Sequence, residues 1–373
     1  MTFKIIHKDK KTKARTGILI VKNKKIKTPF FMPVATKASV KHLSTEEINE
    51  INAKAIISNT FVLHLRPGEA IIKKLGGIGK FMNYNGINVT DSGGFQMYST
   101  SLYLNSNSQG VFFKNPLSGE KIFITPEKDM KIQLDLGSDI AMCLDCMPLF
   151  PSTKKQVQQA IEKTAIWAKK CKQYHDKLQK NKKQKQLLFG ITQGGIYLDL
   201  RKQSSTQLKD LDFDGYSIGG LALGESHEQE LKAIEAHKSI IPESKPSYLM
   251  GAGHPIEILE SIARGVDMFD SRYPTQNARR GTIFTSKGKI KIFNKKYETD
   301  KSPLDKNCNC KVCKNYTKAY IRYQLKQQEG IGLRLASYHN LYFLQQLLEK
   351  ARKEIEKGKF KEFLIKFKKD WKD

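Results

Sequence analysis

Three aspartates sit where chemistry is commonly done. Asp91, Asp145 and Asp270 each close an apolar run, in "INVTDSGG", "DIAMCLD" and "GVDMFDS". Two carboxylates flanking a glycosidic carbon can act as nucleophile and acid/base, as in retaining glycoside chemistry. A third can accept two N–H bonds from a purine edge, because an ionised carboxylate only accepts and has the matching shape. Gln193 and the N–H groups of the "GGL" turn (219–221) can donate to a carbonyl oxygen. Ser92, Gly93 and Gly94 form a tight stretch whose backbone N–H groups can approach a ligand. The competing reading of each aspartate is a helix N-cap just beyond a strand. Asp270 is the most unusual of the three, a lone carboxylate followed by Arg272, Arg279 and Arg280 with no acid between them.

A second constellation lies downstream. "CNCKVC" supplies Cys308, Cys310 and Cys313, and His339 follows in "LASYHN". Three thiolates and one imidazole complete a tetrahedral Zn2+ site with no open position, which makes it structural rather than catalytic. Reduced surface thiols beside a helical histidine are the alternative. Cys143 and Cys146 are also spaced C-x-x-C, which can mean a redox pair. Cys143 lies inside an apolar run, so burial or a pocket role is the preferred reading.

These residues need elements to hold them. Eight apolar runs read as strands, at 29–36, 55–60, 87–94, 139–145, 187–195, 215–224, 248–253 and 265–271. Residues 153–180, 226–240 and 255–264 carry apolar positions at helical spacing. Alternating strands and helices argue for an α/β fold with a parallel sheet. Eight such strands favour a (β/α)8 TIM barrel, with site residues at the C-terminal strand ends. A doubly wound open sheet is the rival, but its glycine fingerprint after the first strand is missing. Residues 99–127 look like an inserted hairpin. The expected division is a barrel over 1–281, then a zinc-binding subdomain with basic helices over 282–373. The basic helical tail is expected from residue 341, and "KNKKQKQ" (180–186) as a solvated helix end or loop.

The 373 residues carry 65 Lys+Arg against 37 Asp+Glu, a net charge of +28. Such an excess favours a polyanionic partner, because neutralising phosphates releases counterions. The bland alternative is a Lys-, Asn- and Ile-rich composition set by coding bias. No apolar stretch is long enough to cross a membrane. The N-terminus lacks the apolar core of a secretory signal, so a cytoplasmic location is expected.

An ordered series of motifs adds a resemblance over roughly residues 15–345. It includes "TPFFMPVAT", "NTFVLHLRPGE", "TDSGGFQMYS", "GSDIAMCLD", "GITQGGIYLDLR" and "FDGYSIGGLALGE". "YLMGAG", "DMFDSRYPTQNARRG", "CNCKVCKNYTKAYIRY" and "GLRLASYHNLYF" follow. The chain resembles the tRNA-guanine transglycosylases, particularly the bacterial type, of the queuine tRNA-ribosyltransferase family.

The resemblance implies a barrel with a zinc subdomain, usually a homodimer, that exchanges the wobble guanine of certain tRNAs for a 7-deazaguanine, preQ1 being the expected base. It implies that Asp270 attacks ribose C1′ and that Asp91 manages protons on the two bases. Asp145, Gln193, the Gly220 N–H and the Leu221 carbonyl would hold the base, between Phe95 and Met250. Two segments would meet RNA. One is Gly251, Ala252, Gly253, His254, Pro255, Ile256 and Glu257; the other is a loop of Thr275, Gln276, Asn277, Ala278 and Arg279. Cys308, Cys310, Cys313 and His339 would bind zinc. Queuine salvage and a non-catalytic RNA-binding subunit are the alternatives, and retention of Asp91 and Asp270 argues against the second. The chain departs from the bacterial pattern at Cys146, Met147, Leu223, Ser271 and Gln276.

Overall fold

The computed structural model describes residues 2–93, 102–116 and 118–372. Each of the eight apolar runs coincides with a strand in whole or in part. They are β1 (Phe30–Pro33), β2 (Ala55–Asn59), β3 (Ile87–Asp91), β4 (Ile140–Met142), β5 (Leu187–Thr192), β6 (Gly215–Ile218), β7 (Ser247–Leu249) and β8 (Met268–Ser271). Hydrogen bonds link them in parallel in the order β1-β8-β7-β6-β5-β4-β3-β2. A parallel bridge from Val34 to Ile57 joins β1 to β2 and closes the barrel.

Strand alternation sorts the side chains. Met32, Ile57, Val89, Met142, Ile191, Tyr248 and Met268 share one buried cluster drawn from seven strands, which is the barrel interior. Their neighbours Phe31, Ile56 and Phe269 join a second cluster with the outer helices. Ala141 and Leu188 join a third.

An antiparallel sheet of Phe3–Lys8, Arg15–Val21 and Lys24–Thr28 closes the N-terminal end of the barrel. Its Phe3, Leu19, Val21 and Ile26 extend the interior cluster. Arg15 makes a buried double contact to Asp267, just before β8, at 2.9 and 2.6 Å. Lys22 and Lys24 reach Asp139, just before β4. All three anchors lie where strands begin, so the opposite end is left for the site.

The expected helices form at Lys154–Gln179, His227–Lys238 and Pro255–Ala263. Thr153 with Gln156, and Ser226 with Gln229, form reciprocal capping boxes that start the first two. Pro255 opens the third, where its missing N–H costs no hydrogen bond.

Three expectations are corrected. The insertion is a three-stranded antiparallel sheet, Tyr103–Asn107, Gly110–Lys114 and Lys121–Ile124, not a single hairpin. The alternating "KIFI" pairs back onto its neighbour, and Phe113 packs edge-on against Phe61 of the barrel with centroids 4.2 Å apart. The segment 275–279 is not a loop but part of the helix Tyr273–Arg279, started by Pro274 and by the Ser271 hydroxyl accepting the Tyr273 N–H. The basic tail does not begin at 341. A 27-residue helix runs Gly330–Glu356 and already contains His339. Gly358, at φ +65°, turns the chain into a last helix, Phe360–Asp370. Residues 180–185 are exposed, as expected, but Gln186 is buried and bonded to Gln179.

Candidate active site

A cavity of about 480 Å³ opens at the C-terminal ends of the strands, and Asp91, Asp145 and Asp270 all line it. That volume suits one small ring system. Asp91 is the last residue of β3. Its carboxylate accepts from Asn59 Nδ2 at 2.9 and 3.1 Å, from the Gly93 N–H at 2.9 Å and from the Thr60 N–H at 3.3 Å. Burial pushes Asp91 up to about 7, with Asp270's charge adding to the shift and these donors opposing it. Asp145 accepts from Ser92 Oγ at 3.0 Å and Gln193 Nε2 at 2.6 Å. Burial holds it at about 6. Asp270 accepts from the Tyr248 hydroxyl at 2.5 Å and from the Gly251 N–H at 3.0 Å. It too is raised by burial, against the Tyr248 bond, while the Arg272 charge pulls it down only weakly. Neither Asp145 nor Asp270 caps the helix after its own strand, where Thr153 and Arg272 hold the N-cap positions, so the N-cap reading fails for these two.

The far wall is the turn after β6. Gly219 and Gly220 press against Gln193, where a Cβ would come within 2.6 and 2.5 Å of its amide atoms, and Gly220 sits at φ +68°. Side chains at either position would displace Gln193. The Gln193 Oε1 is buried without a partner among the described residues, which leaves an acceptor beside Asp145. Glu225 fixes the turn by accepting from the Ala222 and Leu223 N–H groups at 2.6 and 3.0 Å. Leu221, Met147, Leu223, Met250 and Gln276 line the same cavity. Gly94 and Phe95 lie outside the described residues.

The two segments expected at RNA divide by burial. Ala252, Gly253, Pro255, Thr275 and Ala278 are buried, while Gly251 is exposed and His254, Ile256, Glu257, Gln276, Asn277 and Arg279 are partly exposed. Asn277 Nδ2 donates to the Tyr273 carbonyl at 2.9 Å, tightening the helix. Gln276, with its amide oxygen turned toward Arg280, accepts from that guanidinium at 3.1 Å. Sequence reasoning missed Asn59, Glu225 and Tyr248. Each lies inside a stretch it used, "AIISNT", "GGLALGE" and "YLMGAG"; Glu225 and Tyr248 stand two residues from Leu223 and Met250, whereas Asn59 is far in sequence from any residue it named.

Cys308, Cys310, Cys313 and His339 converge, with ligand atoms within 4.8 Å of one another. The three sulfurs lie 3.8, 3.5 and 3.3 Å from His339 Nδ1. A tetrahedral zinc with ordinary Zn–S and Zn–N bonds would set that separation at about 3.6 Å. His339 Nε2 donates to the Phe284 carbonyl at 2.7 Å, which leaves Nδ1 free of a proton on the thiol side. The donor set therefore fits a metal ion. Cys143 and Cys146 are buried and form no part of it.

Fold and site together define a class: a (β/α)8 barrel enzyme with paired strand-end carboxylates suited to glycosyl transfer. The sequence profile described as "Queuine tRNA-ribosyltransferase" matches residues 9–373. Curated proteins of that name are similar along almost the whole chain. The one from Halothermothrix orenii is 46% identical over 98% of this chain and 97% of its own. That from a Thermoanaerobacter species is 47% identical over 98% and 96%, and that from Bacillus subtilis 45% over 98% and 94%. The chain belongs to the queuine tRNA-ribosyltransferase family and is an enzyme of the pentosyltransferase class.

Proposed function

We propose that the protein exchanges the wobble guanine of GUN-anticodon tRNAs for a 7-deazaguanine through a covalent aspartyl-ribose intermediate. The observation that carries this is the convergence of three differently tuned carboxylates on one base-sized cavity. Asp270 Oδ attacks C1′ and the C1′–N9 bond of guanine breaks. Asp91, with a proton affinity near neutrality, protonates the leaving base. The incoming base returns a proton to Asp91, attacks C1′ and expels the Asp270 carboxylate. Two displacements at one carbon retain its configuration.

Asp145 accepts from N1–H and the exocyclic amine, and Gln193 and the Gly220 N–H donate to O6. Met250 and Phe95 sandwich the ring, beside Ser92, Gly93 and Gly94. In this reading the Leu221 carbonyl and the Glu225 carboxylate, on the turn that lines the cavity, face the 7-substituent, which favours the cationic aminomethyl group of preQ1. The anticodon loop is held by 251–257 and 275–279, with zinc in the Cys3His cluster securing the latter from behind. Single-stranded loops make base extrusion inexpensive. A cytoplasmic homodimer completes the reading.

The test measures exchange of labelled preQ1, preQ0, queuine and guanine into one purified tRNA. PreQ1 is expected to react fastest, and Asp270→Ala to lose both exchange and the trapped RNA adduct. Full activity in that variant would remove the mechanism, and faster queuine incorporation would shift the natural base.

A further inference from the structure

Beside the aspartates, the cavity rim carries a group to which the glycosyl chemistry gives no role, although Glu257 also ends the segment proposed to meet RNA. His227, Glu230 and Glu257 each offer one ligand atom, and the three atoms lie within 4.8 Å of one another. Glu230 is only 4% exposed, and its Oε1 is buried with no hydrogen-bond partner among the described residues. An orphaned carboxylate oxygen in such a place is costly unless something positive meets it. His227 Nδ1 lies 3.4 Å from Glu230, while its Nε2 bonds to Glu260, which is also paired with Lys368. A ligating imidazole is typically oriented by a carboxylate on its far nitrogen.

Charge points the same way. Glu230 and Glu257, with Glu225 nearby, concentrate acid in a chain of net charge +28.

We propose that His227 Nδ1, Glu230 and Glu257 bind one divalent first-row transition-metal ion at the cavity rim, with Glu260 orienting the imidazole. One histidine and two carboxylates suit Mn2+, and also Zn2+. This site is separate from the Cys3His cluster, whose thiolates disfavour Mn2+.

The test titrates the purified full chain with Mn2+ at pH 8 and follows the loss of the free-ion EPR signal. One bound equivalent is expected. Affinity should fall at least tenfold in Glu230→Gln and in Glu257→Gln, both near-isosteric, and by about 10–100-fold in Glu260→Gln through lost orientation. Circular dichroism checks that each variant is folded. No bound Mn2+ at 1 mM, or equal binding in folded Glu230→Gln and Glu257→Gln, would overturn the proposal. Neither outcome bears on base exchange, because the readout is metal binding alone.

Discussion

At the scale of single residues, the site is a set of carboxylates whose neighbours set their charge. The Tyr248 hydroxyl donates to Asp270 and stabilises its ionised form, opposing burial. A hydrogen bond to a charged group contributes about 1.5–3 kcal/mol, about 10–100-fold in an equilibrium constant, and it favours the free Asp270 carboxylate over its ester, so it assists expulsion of Asp270 in the second displacement. Tyr248→Phe should therefore lower kcat by up to that factor where that displacement limits turnover, with little change in KM. Its acidic limb should move to higher pH, because Asp270 loses a donor that lowers its proton affinity. An unchanged kcat and profile would show that the contact is incidental. Asp145 gives the opposite kind of prediction. Burial raises it from 3.8 to about 6. The folded chain then binds a proton that the unfolded chain has released, so stability falls as pH rises from about 4 to about 6 and stays lower above. At about 1.4 kcal/mol per pKa unit the penalty at pH 7 is at most about 3 kcal/mol. Asp145→Asn removes it, and rotation of the Gln193 amide would turn its unpaired Oε1 toward the new Nδ2. The variant should melt a few degrees higher than the parent at pH 7, converge with it as pH falls below the ordinary carboxylate value of 3.8, and lose base binding. A Tm difference independent of pH would contradict the assignment.

At the scale of elements, strand ends, hairpin and helix are joined by a few buried side chains. Asn340 Oδ1 accepts the Phe284 N–H at 2.9 Å, and its Nδ2 donates to the Pro274 and Thr282 carbonyls at 3.0 Å each. The neighbouring His339 holds the Phe284 carbonyl while facing the cysteines. The Cys3His cluster, hairpin Thr282–Lys291 and helix Tyr273–Arg279 are thus one mechanical unit. Chelation should speed amide exchange in 282–291 and 273–279 as well as around the cysteines, and leave β4 and β5 protected. Faster exchange confined to 305–315 would refute the coupling. These links explain what was legible in the sequence. The eight strands and three expected helices follow from local periodicity, two capping boxes and one opening proline, and the Asp91, Asp145 and Asp270 placements follow from strand ends. The third strand of the insertion depends on its pairing with Gly110–Lys114. The helix at 273–279 depends on the adjacent Ser271 and also on Asn340, which a distant helix supplies. Tyr248 reads locally as one more apolar strand residue, and only the barrel turns its hydroxyl onto Asp270.

At the scale of the whole molecule, the question is whether the net charge of +28 acts as a total or through where it sits. Arg272 and Arg280 are exposed beside the cavity, and Arg272 lines it. Lys180, Lys182, Lys183 and Lys185 are equally exposed but precede β5, at the end of the barrel opposite the site. Screening limits a surface charge to about 8–10 Å at physiological ionic strength, well under the span of a barrel domain. Phosphate contacts also reveal themselves by their number: each neutralised phosphate contributes about 0.7–0.9 to the slope of log K against log salt. Binding of an anticodon stem-loop to Arg272→Ala/Arg280→Ala should therefore show a slope shallower by about 1.5 units than the parent. The variant Lys182→Gln/Lys183→Gln/Lys185→Gln removes more charge, three units instead of two, yet should keep the parental slope. The reverse ranking, with the remote lysines flattening the salt dependence, would mean that RNA follows the net field and that the arginines after Asp270 serve the fold alone.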